Sequence, residues 1–535
     1  MGGPNGPMNA QAQALLNRTE LLLSLLYSVS VTIERFGGGV NASADLNSAA
    51  FAGAQEFLNS VGGGFIDFGP GVYKLANVGS GSVNGSEGVS SWDNRYCLFV
   101  KYPNIYLRGR GYATTLKLED GENAHVIKFG QRVGTSINFA GGGVLGLSID
   151  GNRANQTLPD PSNNHWSGID VSSGCSDIYI KNFYIHDCLW YGIGMERDGI
   201  HNASIRNGRI SRVGVDAIDW KDDSDTAYGN SIDNVYADNW GLLDVAISGD
   251  PAAAFDLRSG IIASRVICQS PGQSAVAAVR LQNGTPGASP KQPTQVVGGR
   301  GEGANVAGSA GVRVISRGAI VENFTVTGWD DGVSCTEPDC RFGNITALAN
   351  VTSAMRLWKN STTGTTASTN RVAGLVARSN GNGVIVDDGV AEVSFSVCEV
   401  RGNTGKGYDL RTGCSNIRIT EGSCTGNGTN LSDNGASTRI RDVSGIKTEA
   451  VVTVAVPITT TGTKTYPIAH GMPFTPNISD VTLSLNASVG DWSSAAPRVT
   501  AIDATNITVQ LPVSTASTSP NATANVVATV RSKNR

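Results

Sequence analysis

One short pattern returns along the middle of the chain, and that return limits the fold more than any single motif. Ile180-Lys181-Asn182-Phe183, Ile205-Arg206-Asn207-Gly208 and Ile232-Asp233-Asn234-Val235 lie 25 and 27 residues apart, and Val321-Glu322-Asn323-Phe324 repeats the form. A second series interleaves with the first. It comprises Gly168-Ile169-Asp170-Val171, Gly192-Ile193-Gly194-Met195, Ala217-Ile218-Asp219-Trp220, Phe255-Asp256-Leu257-Arg258 and Val279-Arg280-Leu281-Gln282, with later members at Met355-Arg356-Leu357 and Tyr408-Asp409-Leu410-Arg411. A unit this small cannot bury its apolar face alone; stacked copies bury it against one another. Short apolar strands joined by Gly, Asn and Asp turns, without a propeller signature, predict a parallel β-helix over residues 33–445. Rungs roughly 4.8 Å apart would align Val, Ile, Leu and Phe inside and throw the alternate residues outward. Asn182, Asn207 and Asn234 are expected to stack as an amide ladder near a corner.

Composition agrees with an all-β chain. Of 535 residues 67 are glycine and only 16 % are charged, while 40 % are hydrophobic, which supplies ample material for a core. Basic and acidic residues nearly balance, 41 against 45, so no basic face for nucleic acid is expected. The longest apolar run, Leu21 to Val31, is too short to span a bilayer, and no secretory leader precedes it. The nine cysteines show no CxxC spacing and read as buried thiols, Cys335 and Cys340 included, as suits synthesis in a reducing cytosol. HExxH, GxxxxGK[ST] and GxSxG are absent, and neither a metal nor a cofactor is expected. Gly299 to Ala304 reads as a glycine-rich loop.

The ends differ from the middle. Residues 1–32 predict a short helix, with Leu15, Leu16, Leu22, Leu23, Leu26 and Tyr27 at three- and four-residue intervals, suited to attachment or to a collar between copies. Residues 33–100 begin the solenoid: Asp45 and Asn47 cap a helix through Phe57, Gly62-Gly63-Gly64 turns the chain, and Phe65-Ile66-Asp67-Phe68 follows as a strand before Pro70-Gly71-Val72-Tyr73. Residues 446–535 turn to Thr, Val, Ala and Ser, and three strand-like runs (451–456, 481–485, 507–511) predict a β-sandwich-like domain. His470 there is expected to cap a loop.

The helix, glycine turn, apolar strand and Pro-Gly-x-Tyr run resemble the start of the pectate-lyase-like right-handed β-helix family, phage tailspike depolymerases especially. Asp216-Ala217-Ile218-Asp219-Trp220-Lys221, then Phe255-Asp256-Leu257-Arg258, then Val279-Arg280-Leu281, resemble the charged strands of phage capsular depolymerases. The resemblance implies a right-handed helix, a homotrimer, attachment to the phage tail through the N-terminus, and action on bacterial capsule or O-antigen.

Outward positions supply the candidate chemistry. Glycoside hydrolysis takes two carboxylates roughly 5–9.5 Å apart, a range that one or two rungs span. Asp219 and Asp256 are the expected acid/base pair, with Glu196 in reserve; Lys221, Arg258, Arg280 and Trp220 are expected to hold the sugar. The same cations would suit β-elimination on a uronate, in which a base removes a proton and a cation steadies the enolate. A non-catalytic receptor-binding tail protein is the third reading. Asp219/Lys221, Asp256/Arg258 and Asp409/Arg411 also read as simple ion pairs along a flank.

Overall fold

The computed structural model describes residues 29–79, 95–130, 139–157, 166–195, 199–221, 228–248, 251–258, 260–282, 292–472, 475–476, 478–487, 491–503 and 505–531. The expected N-terminal helix and Glu196 lie outside them. Two compact units divide the chain, Met1–Asp330 and Asp331–Arg535.

In the first unit the helix Ala44–Ser60 forms where expected, but its cap is Ser43, whose Oγ accepts from Leu46 N at 3.3 Å. Asn47 is instead buried within it. It accepts from Gly39 N and donates to Lys74 O, while Ser48 donates to Ala76 O and Gln55 to Phe99 O. Three polar side chains thus satisfy strand carbonyls beside the helix, and Phe51, Ala54 and Leu58 cover apolar surface.

Beyond the helix every strand pairing among the described residues of this unit is parallel. One sheet runs through Ile105–Leu118, Phe139–Asp150, Cys175–His186, Ser204–Ser211, Asn230–Asp238, Ile261–Gln269, Gln295–Glu302 and Ile320–Thr327. The other runs through Tyr96–Val100, His125–Phe129, Ile169–Val171, Ile193–Met195, Ile218–Trp220, Ala252–Arg258, Ala275–Gln282 and Ala310–Ile315. The two repeat series of the sequence are these two sheets. Their apolar residues stack in register: Ile127, Ile169, Ile193, Ile218, Phe255, Val279 and Val312 form one column, all fully buried. Each such side chain contributes about 1.5–3 kcal/mol by leaving water.

Asn182, Asn207, Asn234 and Asn323 bend their strands in the left-handed region, with φ between 52° and 56°. Asparagine tolerates that backbone better than other side chains do. At Gly208 the missing Cβ makes room for the Phe183 ring, which would otherwise lie 2.0 Å away. Asn234 Nδ2 donates to Asn207 Oδ1 at 2.9 Å, a link of the expected ladder. Gly299 and Gly301 belong to the strand Gln295–Glu302 rather than to a loop: a Cβ at Gly299 would lie 2.1 Å from Val266 O and 2.9 Å from the Phe324 ring, and one at Gly301 2.6 Å from the Ala278 methyl.

The second unit has short parallel strands of its own, among them Ser353–Leu357, Asn382–Val386 and Lys406–Leu410. Its buried amide ladder is one the repeat reading did not single out: Asn350 donates to Asn380 at 2.8 Å, Asn380 to Asn403 at 3.0 Å and Asn403 to Asn427 at 2.8 Å. From Glu449 the pairing becomes antiparallel. Glu449–Pro457, Thr523–Arg531 and Val481–Ala487 form one sheet, and Gly462–Ala469, Asn506–Thr515 and Arg498–Ile502 another, around Val456, Ile507, Val509, Leu511 and Val526. His470 caps a loop there as expected: Met472 N donates to Nδ1, and Nε2 lies 3.2 Å from Asp503 O.

Candidate active site

The short sheet of the first unit carries a row of charge on the side opposite its apolar column. Lys128, Asp170, Gly194, Asp219, Asp256, Arg280 and Arg313 are register partners on consecutive rungs. Period-two alternation puts them there: Ile218 and Trp220 face the interior, so Asp219 between them faces out, and Phe255 and Leu257 place Asp256 likewise. Asp219 and Asp256 therefore share one wall, one rung apart. Asp216, from the turn before the strand, joins them, and one carboxylate oxygen from each lies within 4.8 Å of the other two.

Cations compensate the acids in turn. Lys128 Nζ lies 2.8 Å from Asp170, Lys221 Nζ 2.7 Å from Asp219 and Arg280 Nη2 2.6 Å from Asp256. Gln282 also donates to Asp256 at 2.5 Å, and Ala253 N to Asp216 at 2.6 Å. Burial works to raise the Asp256 carboxyl, but Arg280, with Arg258 nearby, outweighs it and holds the group below its ordinary value. Asp170 behaves alike: burial pulls it upward, and Lys128, His125 and Lys221 bring it below the usual range. Among the described residues, Oδ1 of Asp170 and Oδ1 of Asp219 have no hydrogen-bond partner.

The wall is not the open flank that alternation alone suggests. Asp219 and Asp256 are each 1 % exposed, and their cations are anchored in turn: Arg280 Nη1 donates to Pro251 O at 3.0 Å and Lys221 Nζ to Tyr191 OH at 3.2 Å. Lys221 and Arg280, at 17 % and 11 % side-chain exposure, are where the cluster reaches the surface. Trp220 is no sugar platform. It is fully buried in the interior column between Met195 and Leu257.

A second acidic group, Asp150, His186 and Asp187, also has metal-ligand spacing. Arg212 already occupies it, with Nε and Nη2 at 2.8 and 2.6 Å from Asp187. In the Asp216–Asp219–Asp256 cluster the positive charge likewise comes from side chains, Lys221 and Arg280.

No family model and no curated protein sequence matches the chain. Solved structures do. The A-module of mannuronan C-5 epimerase AlgE6 from Azotobacter vinelandii is 17 % identical with a TM-score of 0.57, over 76 % of this chain and 98 % of that one. A tailspike variant of E. coli bacteriophage HK620, solved in complex with a pentasaccharide, is 12 % identical with a TM-score of 0.52, over 94 % of each chain. The fold is a right-handed parallel β-helix. On this right-handed β-helix the charged row follows successive rungs, interrupted at Gly194.

Proposed function

We propose that the chain is a phage tailspike that binds a bacterial surface polysaccharide, capsule or O-antigen, and cuts it by endo-glycosidic hydrolysis. The observation that carries this reading is the in-register pair Asp219 and Asp256 beside Lys221 and Arg280. Asp256, held ionised by Arg280, suits the base or nucleophile, and Asp219, its register partner one rung away, is the proposed second member of the acid/base pair. Lys221, Arg280 and Arg258 would position hydroxyl or carboxylate groups of the glycan. Both acids are buried, so a sugar would approach them from the side where Lys221 and Arg280 reach the surface. The likeness to a pentasaccharide-bound tailspike supports the substrate class. Homotrimer formation, attachment through residues 1–32 and a place on the virion tail complete the proposal.

A lyase is the second reading. Cations within 2.7 Å of two carboxylates would also steady an enolate, and one protein of like fold is a mannuronan C-5 epimerase. Products separate the two. Incubation with capsule or O-antigen from candidate hosts should release new reducing ends without the ultraviolet absorbance of an unsaturated uronate. Appearance of that absorbance would establish elimination instead, and polymer left at full length would leave only receptor binding.

A further inference from the structure

The second unit has an open groove of about 690 Å³ that the proposed catalytic cluster does not use. Trp358, Lys359, Asp387, Lys406, Asp409 and Arg411 line it. They come from three successive strands, Ser353–Leu357, Asn382–Val386 and Lys406–Leu410, and from the residues that follow each. Of its three acids Asp387 and Asp409 are engaged, while Asp388 is exposed with no ion pair among the described residues. Arg411 bonds to Asp387 at 2.5 Å and Asp409 at 3.3 Å, Lys406 bonds to Asp409 at 2.7 Å, and Arg356 bonds to Asp387 at 2.8 Å. The indole of Trp358 is fixed: Nε1 donates to Ser334 Oγ at 2.9 Å, and the Arg356 guanidinium lies 5.1 Å from the ring centre.

A half-buried, anchored indole beside a fixed fork of charged groups is an arrangement that takes a sugar, with its C–H face on the ring and its hydroxyls on the fork. Arg356, Lys406 and Arg411 are spent on Asp387 and Asp409, which leaves Lys359 and Asp388 as the exposed charges of the groove with no ion pair within 4.0 Å among the described residues. The geometry points to this groove as a non-catalytic binding site for an acidic glycan, with a uronate ring on Trp358 and its carboxylate at Lys359. The inference rests on the polysaccharide reading for its ligand class, but not on where or whether the chain cuts.

Affinity electrophoresis of the full chain carrying Asp219→Asn and Asp256→Asn tests it, in gels containing alginate, polygalacturonate or hyaluronan, with dextran as the neutral control. At least one uronate polymer should retard the protein and dextran should not. Trp358→Ala should weaken binding about tenfold, Lys359→Gln should weaken it severalfold and flatten its salt dependence, and Trp358→Phe should stay close to the parent. Retardation by none of the three uronate polymers, or equal retardation of Trp358→Ala and Lys359→Gln, overturns the site. Cleavage is read separately on the unmutated chain. Binding through Trp358 without cleavage would defeat the depolymerase reading alone, and cleavage without Trp358-dependent binding would defeat this site alone.

Discussion

Replacing Arg280 by Met removes the cation from a pair that is 11 % exposed on one side and 1 % on the other. Breaking a buried pair from one side costs about 3–5 kcal/mol, since the remaining charge stays out of water without its partner. The pH dependence carries a sharper expectation. With Arg280 present the Asp256 carboxyl lies below its ordinary value. Its contribution is therefore present above the unfolded pKa, about 3.9, and is lost as pH falls through the folded one. Without Arg280, burial becomes the leading influence and raises the group. The variant then gains stability relative to the parent as pH falls, because Asp256 takes up a proton inside. Urea unfolding followed by tryptophan fluorescence reads this in the first unit, where Trp190, Trp220, Trp240 and Trp329 are buried. The deficit should be about 3–5 kcal/mol at pH 8, clearly smaller at pH 5, and partly repaired by adding Asp256→Asn. A deficit equal at both pH values, or under about 1 kcal/mol at pH 8, would refute the buried-pair account.

Three further outcomes are expected. Asn207→Ala should cost about 1–2 kcal/mol, because φ of 52° suits alanine poorly, while Asn207→Gly should lose only the bond from Asn234, as urea midpoints will tell. Asn380→Ala should cost about 2–5 kcal/mol, since Asn350 and Asn403 are buried beside it and lose their partner. All nine cysteines are buried free thiols, and burial pushes Cys175 and Cys424 up to about 12, so a thiol reagent at pH 8 should label none in the native protein and nine in denaturant.

Much of this was legible in the residues, and the failures have physical causes. The return of Ile-x-Asn and Ile-Asp-x triplets located both sheets, because side-chain alternation and turn asparagines are local properties. The same alternation placed Asp219 and Asp256 on one wall. It also assigned Trp220 to the opposite face, since Trp220 shares parity with Ile218, so the platform role contradicted a signal already present. Lys128 carried a signal too: Ile127-Lys128-Phe129 has the form of Ile169-Asp170-Val171 but precedes the regular spacing. Asp216 sits in a turn, where periodicity says nothing. The burial of the acids was not readable, because alternation tells which wall a side chain faces and not what packs over it. Gly299 and Gly301 read as a loop because what excludes their side chains, Val266 O with the Phe324 ring and the Ala278 methyl, lies on other strands. The asparagines of the buried ladder recur at 30, 23 and 24 residues, a looser period than the triplets that drew attention.

The central claim is that the carboxylates of adjacent rungs cut a polysaccharide. Its most direct test is the chain length of host capsule or O-antigen, measured by size-exclusion chromatography after incubation with the parent protein and with Asp219→Asn/Asp256→Asn. The account predicts rapid shortening by the parent and a loss of at least about a hundredfold in the variant, with both equally folded. Shortening at the parent's rate by the variant would contradict it.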